Sequence, residues 1–160
     1  MENMSSNHLE DLAKEYYEYK GYFVRSNIRV IKREGGGYNG EIDLLAYNPV
    51  NRELLHIECS MDAEKKEDEE KMAEKKFQRD IDYRKIIPFE FTNLRKIYII
   101  GQTKGQNEIK MPKDVEHISL GPFIKEIYSE LPSDIIKEIV PEVYPLLRAI
   151  QLSKWARPEK

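Results

Sequence analysis

The amino-acid sequence predicts an α/β fold, a mixed sheet flanked by helices with a helical C-terminal tail. Three observations carry that expectation. Helical and strand periodicities follow one another as helix, three strands, helix, strand and then helices, an order that builds a layered sheet. The run Lys96-Ile97-Tyr98-Ile99-Ile100-Gly101 is apolar without alternation, which suits a strand covered on both faces. Two further runs, Gly40-Glu41-Ile42-Asp43-Leu44-Leu45 and Leu55-His56-Ile57-Glu58-Cys59-Ser60, alternate polar and apolar side chains with the period of a strand.

The elements follow in order. Leu9, Leu12, Ala13 and Tyr16 form a stripe at helical spacing, predicting a helix over 7–20 that stops at Gly21. Residues 22–31 read as a strand with Tyr22, Val24, Ile28 and Val30 on one face and Arg25, Asn27 and Arg29 on the other. Gly35-Gly36-Gly37 turns the chain into a strand over 41–47, and Asn48-Pro49-Val50-Asn51 turns it again into one over 53–60. Ala73, Phe77 and Ile81 recur every fourth residue, predicting one helix over 69–86 that ends before Pro88. A strand over 96–101 and a short one over 116–120 come next. Helices are expected over 122–131 and over 134–140, the second capped by Ser133 or Asp134. A last helix is expected to start at Pro141, bend at Pro145 and run to Trp155.

With 160 residues the chain suits one domain, core 7–120 with a helical extension over 121–157. No apolar run reaches membrane-spanning length and no signal peptide is read at Met1, so a cytoplasmic protein without membrane contact is expected. Cys59 is the only cysteine, which excludes an intrachain disulfide and a thiolate zinc cluster. Its place on an apolar strand face marks it as a core residue. The net charge of −3 argues against a sequence-independent DNA coat. The charge is uneven, however: basic stretches surround Arg25, Arg29, Lys32 and Arg33 and again Lys71 to Lys85, with an acidic run from Asp62 to Glu70 between them. A basic groove beside an acidic centre and an ordinary solvated helix face both have this pattern.

The strand period places Glu41, Asp43 and Leu45 on one face and Ile42, Leu44 and Ala46 on the other. In the next strand His56, Glu58 and Ser60 oppose Leu55, Ile57 and Cys59. If the strands pair, Asp43 and Glu58 converge. Two adjacent carboxylates repel and are costly to bury without a cation, and a divalent metal resolves both problems.

Glu10-Asp11-Leu12-Ala13, Gly21-Tyr22, Asn27-Ile28-Arg29, Gly40-Glu41-Ile42-Asp43-Leu44 and His56-Ile57-Glu58-Cys59-Ser60, in this order, resemble the PD-(D/E)XK nuclease superfamily, the restriction-endonuclease-like fold. The match is closest to its Holliday-junction-resolvase-like branch and to bacterial endonuclease-like proteins with a Gly-Glu-Ile-Asp motif. It ends at Ser60. The resemblance implies a Mg²⁺- or Mn²⁺-dependent DNA endonuclease. Asp43, Glu58 and the main-chain carbonyl of Cys59 would hold the metal, Glu10 and Glu41 would orient water or a second ion, and His56 would support a ligand. Arg25, Arg29, Lys75 and Lys76 would meet DNA phosphates. Ser60 stands where the family's Glu-x-Lys lysine belongs, and losing one such donor costs on the order of 10²–10³ in rate. Lys75 or Lys76 on the following helix could replace it; otherwise the chain is a degenerate nuclease that binds DNA or a protein without cutting.

Structural readings stand beside these. Glu10 lies three residues after Asn7, the spacing of a capping box. Glu41 serves the site or faces solvent, and His56 is a ligand's partner or simply a polar strand residue. The glycines at 35–37 lack the Lys-Ser/Thr of a phosphate-binding loop and suit a hairpin turn. Val143, Leu146, Leu147, Ile150 and Trp155 either form a homodimer interface, as resolvases cutting two symmetric strands require, or complete the core.

Overall fold

The computed structural model describes residues 7–61, 64–101, 103–104 and 109–157. Helix α1 (His8–Tyr19) starts at Asn7, whose side-chain oxygen accepts the Leu9 N–H at 3.1 Å, and ends before Gly21 at φ +93°. Strands β1 (Phe23–Lys32), β2 (Tyr38–Asn48) and β3 (Glu53–Ser60) form an antiparallel meander. Helix α2 (Lys66–Phe77) and the short α3 (Tyr83–Ile86) then carry the chain to β5 (Asn93–Ile100), parallel to β3, with β7 (Val115–Ser119) parallel beyond it. The five-stranded sheet has the order β1-β2-β3-β5-β7. Two-residue strands β4 (Glu64–Lys65) and β6 (Thr103–Lys104) pair separately. Helices α4 (Leu120–Glu130) and α5 (Pro145–Trp155) complete the described chain. Among the described residues no helix is long and apolar enough to cross a membrane.

Helices cover both faces of this mixed sheet, as the sequence predicts. On one face Leu44, Ala46, Leu55, Ile57, Cys59, Ile97 and Ile99 meet α1 and Phe123, Ile127 and Leu147 from α4 and α5. On the other, Leu45, Tyr47 and Leu54 pack with Ile87, while Tyr98 and Ile100 pack with Ala73 and Phe77 of α2. The unbroken apolar run of β5 thus serves two cores at once, Ile97 and Ile99 on one side and Tyr98 and Ile100 on the other.

Strict alternation fails at one place. Ile28, Val30 and Ile42 are expected beside Val24, Leu44 and Ala46, yet they pack in the opposite cluster with Leu45, Tyr47 and Leu54. The ladder pairs Ser26 with Leu44 and Ile28 with Ile42, leaving Asn27 facing Asp43 between them. Asn27 has φ +53°, left-handed backbone that asparagine tolerates better than most residues. The face reversal on both strands falls at this pair.

Three further expectations are corrected. The helix over 69–86 is two helices, because Phe77 turns to Tyr98 while Ile81 turns to the cluster around Ile42. Residues 134–140 form a single turn, capped by Asp134 accepting the Ile136 N–H and closed by the Glu138 N–H on the Asp134 carbonyl. Pro145 does not bend a helix begun at Pro141; it starts α5, where its missing N–H costs nothing. The Glu15 carboxylate caps that start, accepting the N–H groups of Leu146 and Leu147 at 3.2 and 2.9 Å. Leu147 is core, whereas Val143 and Trp155 are exposed at 74% and 44%.

Candidate functional site

The pairing of β2 with β3 runs from Asn48 only as far as Leu44, opposite Ile57, so the strands part just before Asp43 and Glu58. In that fork the Asp43 carboxylate Oδ2 accepts the Cys59 N–H at 2.9 Å, taking the place a ladder carbonyl would fill. The N–H and C=O of one strand residue lean to the same side, so the Cys59 carbonyl also opens toward the fork. The Lys76 ammonium of α2 sits 3.2 Å from Asp43 Oδ2 and 3.1 Å from Glu58 Oε2, bridging the two acids.

The other Glu58 oxygen is equally committed. Oε1 lies 2.8 Å from His56 Nε2, and His56 Nδ1 lies 2.7 Å from the Tyr83 hydroxyl. With the tyrosine donating to Nδ1, the ring carries its proton on Nε2 and donates it to Glu58. Burial, and then the charge of Lys96, lower the His56 pKa to about 3, which keeps the ring neutral. Burial, and then the Glu58 charge, push the Asp43 carboxyl up to about 6. Burial also raises Glu58, against the opposing charge of Lys76. For Lys76 burial works downward, but the charges of Glu58 and Asp43 outweigh it and leave the ammonium raised. One cation therefore faces two carboxyls held above their ordinary range.

Glu10 adds to the excess. Burial and the Asp43 charge raise its pKa, while its bond from Asn7 Nδ2 at 2.8 Å lowers it. Glu10 is thus both a partner of the capping asparagine and a neighbour of the acidic pair. Glu41 is not brought in. Its side chain is exposed, and its backbone carbonyl accepts from Arg79 at 2.7 Å. The face reversal beside Asp43 separates two residues that strict alternation would have kept together.

The basic candidates divide as well. Lys76 enters the acidic fork, while Lys75 at the preceding helical position is exposed. Arg25 donates to the Ile86 carbonyl at 2.9 Å and fastens α3 to β1; Arg29 is exposed opposite Glu41. Ser60 is fully engaged elsewhere. Its hydroxyl donates to Glu69 Oε1 at 3.2 Å, and the Tyr98 hydroxyl donates to Glu69 Oε2 at 2.9 Å.

Glu69 and Tyr83 are the site residues that sequence reasoning missed. Glu69, fully buried, pins the first turn of α2 to β3 and β5, as Lys76 pins its last turn to β2 and β3. Extending the Ala73/Phe77 stripe back by four residues reaches Glu69, and Lys76 lies seven residues on, along the same helix face. Tyr83 gave no local signal, since its partner His56 is 27 residues away.

Among the described residues no group of three or more His, Cys, Asp or Glu side chains is arranged to hold a metal ion. No family model matches the chain and no curated protein matches it. Among solved structures, the crystal structure of a protein of unknown function, AF1548, is similar with a TM-score of 0.47 and 16% identity, covering 89% of this chain and 77% of that one.

Proposed function

We propose that the fork between β2 and β3 is the centre of a divalent-metal-dependent DNA endonuclease on a restriction-endonuclease-like core. The observation that carries the reading is the position of Lys76: its ammonium lies within 3.2 Å of both acids. A lysine from the following helix thereby supplies the cationic donor that Ser60 cannot. The donor set fits magnesium or manganese, which prefer hard oxygen ligands and keep several waters, so that two carboxylates and one carbonyl suffice. Asp43, Glu58 and the Cys59 carbonyl would hold the ion, with Glu10 at its edge.

When bound, the metal would acidify a coordinated water and polarise the scissile phosphoryl group. The protein's own groups do the rest. His56, neutral and donating, fixes one oxygen of Glu58 so that the other faces the fork. Asp43 is ionised above about pH 6 and is then available to a cation. With an ion held between the acids, Lys76 would be placed to hold the nucleophile or a non-bridging phosphate oxygen and to stabilise charge as it develops. Glu69 and Tyr98 keep α2, and hence Lys76, on the sheet.

The test is cleavage of supercoiled, linear and branched DNA in Mg²⁺ or Mn²⁺. Cutting that disappears in Asp43→Ala while DNA binding persists supports the reading. The same ion pairs favour a second one: an ammonium that already neutralises the acids needs no metal, as in a degenerate nuclease domain that binds without cutting. Absence of cutting with either metal on every substrate selects that alternative.

A further inference from the structure

The β1–β2 hairpin outruns its sheet. β2 is paired with β3 only from Leu44 to Asn48, but with β1 from Tyr38 to Tyr47. The base of the overhang is backed: Ile28, Val30 and Ile42 are buried, and the Arg79 guanidinium lies against Gly40 so closely that a Cβ there would meet it at 2.7 Å. The tip is not backed. Every residue from Ile31 to Asn39 is exposed, Ile31 at 38% and Tyr38 at 44%. Lys32 and Tyr38 form its last ladder pair, Gly36 and Gly37 turn it at positive φ, and Arg33 Nε donates to the Asn39 side chain.

Charge and shape point to one partner. Lys32 and Arg33 at the tip, with Arg29 and Arg79 at the base, outnumber Glu34 and Glu41 in a chain whose net charge is −3. A shallow concavity of about 410 Å³ lies along the ribbon, lined by Arg29, Gly37, Tyr38, Asn39, Gly40 and Glu41, two residues from Asp43. At about 3.3 Å per residue the free tip extends about 10 Å. The major groove of B-DNA, about 12 Å wide and 8.5 Å deep, admits a two-stranded ribbon of this size.

We propose that the hairpin tip is a β-ribbon that enters the major groove of duplex DNA, Tyr38 facing base edges while Lys32, its cross-strand partner, and Arg33, held by the Asn39 side chain, meet phosphates. The inference rests on the nuclease reading for its substrate and deepens it by naming how the duplex is gripped. The test compares the Asp43→Asn protein with and without the pair Lys32→Glu and Arg33→Glu, by fluorescence anisotropy on one labelled DNA duplex across a salt series. A second variant, Tyr38→Ala, keeps the charge and leaves the Arg33–Asn39 bond in place.

The charge-reversed protein is expected to bind roughly ten-fold more weakly or worse, with a slope of log K against log salt shallower by about 2. The parent is expected to bind a duplex RNA of the same sequence at least about ten-fold more weakly, because the A-form major groove is too narrow to admit the ribbon. The second variant should lose affinity without a change in slope. Unchanged affinity in the charge-reversed protein, or RNA bound as well as DNA, overturns the ribbon. A manganese titration of the chain with native Asp43 separates the two proposals. Metal binding that survives alongside tip-independent DNA binding sinks the ribbon alone, whereas tip-dependent DNA binding without any metal binding sinks the nuclease centre alone.

Discussion

Replacing Asp43 by asparagine is predicted to stabilise the metal-free protein at neutral pH. The Asp43 side chain is only 13% exposed, and its carboxyl rises from the usual 3.8 to about 6 in the folded state. Holding it ionised at pH 7.5 therefore costs about 3 kcal/mol, at about 1.4 kcal/mol for each factor of ten in acidity. Because the folded pKa lies above the unfolded one, this stability is fully present below pH 3.8 and is lost as the pH rises through about 6. Asparagine keeps an oxygen for the Cys59 N–H but never takes the charge. His56 works in the opposite direction, since its pKa falls from 6.5 to about 3 and its contribution grows with pH. Only the difference between the two proteins isolates Asp43. Urea unfolding of both, without divalent ions, from pH 4 to pH 8 is the assay. The curves should nearly coincide at the acid end and separate by up to about 3 kcal/mol in favour of Asp43→Asn at the alkaline end. Manganese should close that gap by stabilising the parent alone. A difference flat in pH, or a parent that is the more stable throughout, refutes the claim that the fork confines an excess of buried negative charge.

Lys76→Met leaves two buried carboxylates without their ammonium and should destabilise the metal-free protein by about 3–5 kcal/mol at pH 8. The same variant should bind manganese more tightly in calorimetry yet cut DNA on the order of 10²–10³ more slowly, because the competitor and the donor of the proposed centre are one group. His56→Phe strands Glu58 Oε1 and the Tyr83 hydroxyl, so stability should drop by about 1–3 kcal/mol in denaturant unfolding. Its manganese affinity should fall about 10–100-fold in the same titration. Glu69→Ala removes the acceptor for both Ser60 and Tyr98. A double-mutant cycle with Tyr98→Phe should show strong coupling, about 1–3 kcal/mol, read by thermal or urea unfolding.

The sequence carried the elements whose periodicity is set by burial. The stripe of α1, the meander, and the doubly buried run of β5 are each a repeated apolar choice over many residues, and each is where the pattern put it. The approach of Asp43 to Glu58 was legible for the same reason. Features decided by a single backbone angle or by a distant contact were not. Asn27 at φ +53° looks like any polar strand residue, yet the strand faces reverse there and Glu41 turns away from the site. The Ala73-Phe77-Ile81 repeat is consistent with one helix, but the sheet offers two separate apolar clusters and the chain breaks between them to fill both. Ser60 made the site look incomplete. The ammonium that reaches the fork lies 16 residues further on, visible as a choice between Lys75 and Lys76 that only the phase of α2 decides.

Asp43 and Glu58 are proposed to share one divalent cation. Crystals soaked in manganese, with anomalous scattering recorded at the metal edge, test this most directly. The prediction is a peak in the fork within about 2.0–2.3 Å of oxygens from both side chains, with the Lys76 ammonium displaced from its bridge. A fork without a peak, its lysine still spanning the two acids at high manganese concentration, contradicts it.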